Sequence, residues 1–555
     1  MHYTSGMVDE QEFKKKFSDL NKEQMLDMMY HQEVEIQQMK ENMSSMKRRL
    51  FGHTSEHISP DQLAFNLFNE AEVTEEEATP EEKAEAETIT YTRKKTRNSK
   101  IKDLPVEEEH IYTTDNTCPI CGSKMEEMKP RTIEYLVHIP ERYYIRRIVI
   151  HQNTCKKCND KNLNCTIYTG DTSKVPARLL SSSFVTASVV ATIAYNKFLV
   201  GIPFYRQSKD LAAKGVDLSR QVLCDWMMRC GDEYLRLVFQ KMKNDLRQSS
   251  IVNMDETELE VLEEKRSGRE SASYIWLAMT NQYETKQMAL YFYSPTREHA
   301  MVTEILGDDY NGIIQSDGYQ AYVNYRQASG HAGCLAHARR KFEDALKSNE
   351  ALYKAYNRKG ISHSQREELL QKNPGFANLF YMVNEINHLF DIERKLKDSN
   401  ASIEDILSTR QEKAAPIMEE IHRKAEECID QHQPKGKAHT AFSYTLNQWD
   451  SLCYYLKDGR VPASNNLAER EGIKPYVMAR KNFLFAESRN GAEISSIYMS
   501  LLISAKMNGL NPMSYVQYLL EELSTHGLHD EVIDRCLPYS ESLPIKLKIS
   551  KNRTK

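Results

Sequence analysis

The chain has little of what would place it in a membrane or outside a cell. Its most apolar run, Phe184 to Tyr195, stops at Asn196 and Lys197, too short to cross a hydrocarbon core of about 30 Å. The opening MHYTSGMVDEQEF has no charged-then-apolar leader, which gives the expectation of a cytoplasmic protein. A charge excess of one sign is also missing. The formal net charge of −5 over 555 residues excludes a uniformly basic nucleic-acid coat, yet it leaves room for a basic face because the signs are segregated. Residues 70–87 are acid-rich, and Arg93, Lys94, Lys95, Arg97, Lys100 and Lys102 follow at once. Nor is there an even set of cysteines. Eleven are present, four of them in two CxxC pairs, a pattern that favours thiolates on a metal in a reducing compartment over a disulfide framework.

Hydrophobic residues at 40% and charged residues at 28% suit a chain of roughly three or four domains with real cores. Residues 20–50 contain neither Pro nor Gly. Met25, Met29, Ile36, Met39, Met43, Met46 and Leu50 fall on the a and d positions of a heptad, with Gln32 interrupting the seam. A seam this narrow predicts a coiled coil and a homo-oligomer formed through it, a helix packed on its own domain being the alternative. The chain divides into this N-terminal helix (1–56), an acidic then basic linker (57–103) and a segment carrying the CxxC pairs (104–172). A helical region (173–248), a core with a helical insertion at about 345–450 (249–480) and a C-terminal helical region (481–555) complete it. The linker is too polar to order itself by burial.

In the helical region, PFYRQSKDLAAKGVDLSRQVLCDWMMRCG reads as a helix, a turn at Gly215 and a second helix capped near Ser219. That shape fits a helix-turn-helix with Arg220 opening the recognition helix, and it fits an ordinary helix pair as well. The periodicity then changes. Residues 250–261, 273–280 and 287–293 read as strands, 296–306 as a helix and 312–316 as a strand. A right-handed crossover sets the fourth strand beside the first, which is how a ribonuclease H-like fold begins. The expected fold class is therefore multidomain, mostly α plus α/β.

Asp255 lies inside the first strand, on the face shared with Leu259 and Val261, and Asp317 ends the fourth, followed by Gly318. Neighbouring strands bring the two carboxylates together although they are 62 positions apart (317 − 255). Two such anions in a half-buried place repel, and a divalent cation relieves the repulsion. Hard carboxylate oxygens favour Mg²⁺ or Mn²⁺. Glu469 in ASNNLAEREGIKP is the candidate third ligand. A capping box with Asn466 explains it equally from sequence. Three carboxylates suit two metal ions per site, which drive in-line phosphoryl displacement without a covalent enzyme intermediate.

Cys118 and Cys121, then Cys155 and Cys158 after 33 intervening residues, provide four thiolates for one structural Zn²⁺. Cys165 is a spare thiol, and Cys224, Cys230, Cys428, Cys453 and Cys536 read as buried hydrophobes. Cys334 and His337 in CLAHARRKF form a CxxH pair with no second pair near it, read as a supporting element beside the carboxylates. Arg339, Arg340 and Lys341, and Arg480 and Lys481 in VMARKNFLF, are candidates for phosphate contact.

These segments, in order, resemble the transposases of the insertion-sequence-66 family. The resemblance runs through RRLFGHTSE, CPICG with a later CKKC, NKFLVGIPFYRQ, MDET, SDGYQAY, GCLAHARRKF, NNLAERE, ARKNFLFAES and SAKMNGLNPMSYVQYLL. It departs at Leu335 and Glu471, where the family usually has Trp and often has Arg or Lys. The resemblance implies a DDE-type enzyme with Asp255, Asp317 and Glu469 as the acidic trio, a zinc-binding domain and a helical insertion before the Glu. It further implies double-stranded transposon-end and target DNA as partners, with element-encoded accessory proteins alongside. From the residues alone, a DNA-binding regulator with an inactive catalytic fold and a nuclease without joining activity stay open.

Overall fold

The computed structural model describes residues 177–549, apart from 182, 269–271 and 433–434. It also describes Tyr143 and the short antiparallel strands Gln152–Asn153 and Tyr168–Thr169. The predicted coiled coil, the linker and the four CxxC cysteines lie outside the described residues. Among those described, no helix is long and apolar enough to cross a membrane.

The helical region opens with α1 (Ala187–Tyr195), whose buried Ala187, Val190, Ala191, Ile193 and Ala194 make it apolar almost all round. Then come α2 (Phe204–Ala213), α3 (Arg220–Cys230) and α4 (Arg236–Leu246). Gly215 takes φ +83° in the turn between α2 and α3, a conformation that costs a residue with a Cβ. The Ser219 hydroxyl accepts from the Val222 N–H at 3.4 Å and caps α3, where the sequence put the helix start.

The sheet is built from β1 (Ile251–Val261), β2 (Ser273–Thr280), β3 (Ala289–Ser294), β4 (Ile313–Gln315), β5 (Gly330–Ala332) and β6 (Phe485–Ala486), with crossover helix α5 (Ala300–Leu306) between β3 and β4. The order is β3-β2-β1-β4-β5, with β6 added to the far end of β1. The pairs β1/β2 and β2/β3 are antiparallel, whereas β1/β4, β4/β5 and β1/β6 are parallel. The meander, crossover and parallel return thus have the predicted order.

Two boundaries differ from expectation, each for a local reason. β3 begins at Ala289 rather than residue 287 because the Gln287 amide donates to the carbonyls of Asn281 (2.9 Å) and Glu284 (2.6 Å), closing the hairpin loop. α5 begins at Ala300 rather than residue 296 because Arg297 is drawn to Glu256, its Nε donating at 2.8 Å.

The outer edge of β3 does not face water. It lies against the C-terminal helix Arg489–Met507, whose Ser504 and Ser500 hydroxyls accept from the Ala289 and Tyr291 N–H groups at 3.0 and 2.8 Å. This satisfies edge donors that would otherwise invite another strand.

After β5 come the helices α6 (Leu335–Ser348), α7 (Pro374–Asp398), α8 (Ala415–Ile429) and α9 (Lys437–Asn447), the last three within the region 345–450 expected as an insertion. They pack on one another through Phe342, Leu346, Met382, Ile386, Met418, Ile421 and Phe442, all buried. The chain returns through a π-helical segment, Ala468–Ile473, into α10 (Lys474–Phe483), α11 (Arg489–Met507) and α12 (Pro512–His526). Arg410 ties insertion to return. Nine-tenths and more buried, it holds Glu393 through both carboxylate oxygens (2.7 and 2.6 Å) and donates to the carbonyls of Tyr455 (3.0 Å) and Val461 (2.8 Å).

Candidate active site

Asp255 sits midway along β1, half-buried, opposite Leu277 of β2. Its Oδ1 accepts from the Glu256 N–H at 2.8 Å. Asp317 lies two residues beyond β4, where Gly318 at φ +82° turns the chain. Asp317 Oδ1 accepts from the Tyr319 N–H at 2.9 Å, and its carbonyl accepts from the Tyr444 hydroxyl of α9 at 2.6 Å.

Glu469 does not form the capping box that its spacing allows. Asn466 is already helical, the Glu469 N–H donates to the Asn465 carbonyl at 3.2 Å, and the segment continues as a π-helix. The Glu469 carboxylate instead meets two groups of α6, His337 Nε2 at 3.3 Å and Arg340 Nη2 at 3.4 Å. The CxxH motif therefore stands beside the third carboxylate, with Cys334 as the N-cap residue of α6.

Strand, strand end and helix start thus bring three acids within electrostatic reach of one another. Burial, then the charges of Glu256 and Glu469 and more weakly Asp317, push the Asp255 carboxyl up to about 8. A carboxyl that holds its proton near neutrality through burial and the nearness of other anions is the kind of group whose proton a divalent cation replaces. His337 shows the complementary effect. Burial disfavours its charge, but Cys334 and Glu469 outweigh that and raise it to about 9. The donor set fits a hard divalent ion. Among the described residues no three His, Cys, Asp or Glu side chains already close on one point, so binding an ion there requires side-chain adjustment.

Two features of the site were not foreseen. Glu256, next to Asp255, has a side chain only 4% exposed, held by Arg297 and by the Tyr322 hydroxyl. Burial raises its carboxyl against the lowering effect of those two donors. Its place in MDET, alternating with Asp255 on a strand, was the available signal. Behind the acids lies a buried amide cluster. Asn253 Nδ2 donates to Gln315 Oε1 at 3.0 Å and to Asn465 Oδ1 at 2.7 Å. Gln315 Nε2 donates to the Pro462 carbonyl at 2.6 Å and Asn465 Nδ2 to the Met254 carbonyl at 3.0 Å.

The candidate phosphate contacts divide. Arg220 is exposed at the first residue of α3 and Lys481 is exposed near the end of α10. Arg480 donates to Thr257 Oγ1 at 3.2 Å, two residues along β1 from Asp255 on the same face. Arg340 borders Glu469, and Lys341 Nζ lies 4.5 Å from the centre of the Tyr444 ring. Arg339 is a correction. It is 2% exposed, bonded to Asn387 Oδ1 at 2.9 Å and stacked on Phe390 at 4.9 Å, which leaves no surface for a phosphate. Of the spare cysteines, Cys230, Cys428 and Cys536 are buried as expected, whereas Cys224 and Cys453 are only partly so.

Residues 182–494 match the family described as "Transposase IS66 family", and residues 38–108 match "Transposase C of IS166 homeodomain". The chain belongs to the IS66 transposase family. It is 25% identical to the uncharacterised protein y4jD of Sinorhizobium fredii over 79% of this chain and 81% of that one. It is 24% identical to y4hP of the same organism, also uncharacterised, over 87% and 85% respectively.

Proposed function

We propose that this chain is a DNA transposase that cleaves strands at transposon ends and joins the freed ends to target DNA, using a ribonuclease H-like core. The reading rests above all on three separate elements bringing the charges of Glu469 and Asp317 to bear on the buried Asp255 carboxyl. In it, the three carboxylates supply hard oxygens to a pair of Mg²⁺ or Mn²⁺ ions. Such a pair, when bound, activates the attacking oxygen and stabilises the leaving one. Water attacks in cleavage and the 3′-hydroxyl in joining, so no Ser or Tyr nucleophile is required. His337 and Arg340 hold the Glu469 carboxylate and keep the site from carrying excess negative charge. Arg340 and Arg480 flank the acids and suit the approach of a phosphodiester. Arg220 and α3 serve duplex binding, Cys118, Cys121, Cys155 and Cys158 one structural zinc, and the N-terminal helix self-association. Cytoplasmic action on double-stranded DNA follows from the same reading.

The test is strand cleavage and joining on labelled transposon-end DNA in Mg²⁺, comparing wild type with Asp255→Ala, Asp317→Ala and Glu469→Ala. Each variant is expected to bind the DNA and to lose both reactions. Full activity in all three refutes the assignment, and cleavage without joining by the wild type reduces the function to that of a nuclease.

A further inference from the structure

The amide cluster has a fixed internal direction. The Gln315 NH₂ group faces the Pro462 carbonyl, so its oxygen faces Asn253. The Asn465 NH₂ group faces the Met254 carbonyl, so its oxygen also faces Asn253. Asn253 must therefore present its NH₂ to both, and its own Oδ1 is left buried without a partner. All three residues are almost wholly buried, at 1%, 0% and 1% exposure. A buried orphan oxygen is destabilising, so a fold that needed only packing would do better with apolar residues here.

What the cluster gains is registration. Asn253 precedes Asp255 by two residues on the same face of β1, and Gln315 precedes Asp317 by two at the end of β4. Asn465 lies one helical turn before Glu469, and its N–H donates to Cys334 Sγ at 3.2 Å, which ties in the start of α6 that carries His337 and Arg340. The Asn253–Gln315 and Asn253–Asn465 bonds join positions 62 and 212 residues apart. Every element that brings a carboxylate or a carboxylate partner thus meets the others through directional bonds rather than through packing alone. Packing fixes separation loosely, whereas hydrogen bonds of set donor and acceptor sense fix it to a few tenths of an ångström.

We propose that Asn253, Gln315 and Asn465 are positioning residues that hold the backbone at Asp255, Asp317 and Glu469 where their side chains can close on divalent ions. This rests on the phosphoryl-transfer reading above. The test uses the full chain and two variants, Asn253→Leu and the milder Gln315→Met. Two quantities are measured, the Mn²⁺ concentration giving half of the maximal thermal stabilisation, and the Mn²⁺ dependence of cleavage at saturating DNA. Loss of support around metal ligands weakens affinity about 10–100-fold. The expected result is a rise of that size in half-saturating Mn²⁺ by both measures, with cleavage partly restored at high Mn²⁺ and DNA affinity unchanged. A lowered Tm without metal together with wild-type Mn²⁺ dependence overturns the proposal and makes the cluster purely structural. If Asn253→Leu does not fold, Gln315→Met decides alone by the same criteria. If the wild type shows neither Mn²⁺ stabilisation nor cleavage, the phosphoryl-transfer reading fails, and this proposal with it.

Discussion

Gly472 lies against the sheet bearing Asp255, in the segment bearing Glu469, and replacing it with alanine tests how tightly the site depends on that contact. A Cβ at this position would lie 2.3 Å from Leu277 Cδ2, about 1.5 Å inside an ordinary carbon–carbon contact of roughly 3.8 Å. Leu277 is fully buried and is the cross-strand partner of Asp255, so its side chain yields only by displacing buried neighbours. The Gly472 carbonyl also accepts the hydroxyl of Tyr291, the cross-strand partner of Leu277, at 2.7 Å, which anchors the segment to the same face of the sheet. Gly472→Ala therefore forces the π-helical segment off β2 by about an ångström. Overpacking of this kind costs about 1–3 kcal/mol, and a displacement of that size at a reacting centre lowers turnover about 100-fold. The assays are the midpoint of urea unfolding and cleavage of labelled transposon-end DNA at saturating Mg²⁺. A Gly472→Ala protein with wild-type midpoint and wild-type turnover refutes the reasoning. One that is destabilised yet fully active shows that the segment's distance from β2 does not govern the chemistry.

The remaining predictions concern charge. Burial raises the Glu343 carboxyl from 4.5 to about 7, so the fold favours its protonated form. That contribution to stability is complete below pH 4.5 and is lost as pH rises through 7. Glu343→Gln should accordingly gain on wild type between pH 5 and 8 by up to about 3 kcal/mol, read as a difference in Tm that grows with pH, and a constant difference contradicts it. Arg410→Met strands Glu393 and several carbonyls, so a loss of about 3–5 kcal/mol is expected in urea unfolding, and a loss below 1 kcal/mol counts against the tie described. Arg339→Ala should lower Tm without altering the salt dependence of DNA affinity. Lys481→Ala should leave Tm unchanged and reduce the slope of log affinity against log salt by about one, and the opposite pairing of effects would reverse the assignment.

The strands were legible because β2 keeps an uninterrupted apolar run from Tyr274 to Met279, because β1 alternates Thr257, Leu259 and Val261 with acids, and because Gly318 marks the turn at Asp317. The sense of β4 beside β1 followed from crossover handedness rather than from any residue. Glu469 was ambiguous because a carboxylate three residues after an Asn satisfies a capping box by spacing alone, and only the π-helical start and the arrival of α6 settle where its oxygens point. Arg339 was misjudged although the signal was present. It stands four residues after Leu335 and three before Phe342, within the apolar stripe of α6, so its neighbours Arg340 and Lys341 were no guide to its direction. Asn253, Gln315 and Asn465 carry no charge and no motif spacing. Their pairing exists only between elements far apart in the chain, where local pattern has no purchase.

That long reach has a kinetic side. β1 borrows β6, residues 485–486, for its outer end, and the Asn253–Asn465 bond spans 212 positions. Closing contacts of such separation is slow compared with forming the hairpin of β1 and β2. A chain emerging from the ribosome can therefore complete the meander and hold Asp255 and Asp317 long before it has made Glu469. If Glu469 completes the acidic trio as proposed, the growing polypeptide carries an unarmed centre until the last quarter is synthesised, and any product ending before residue 469 stays unarmed for good.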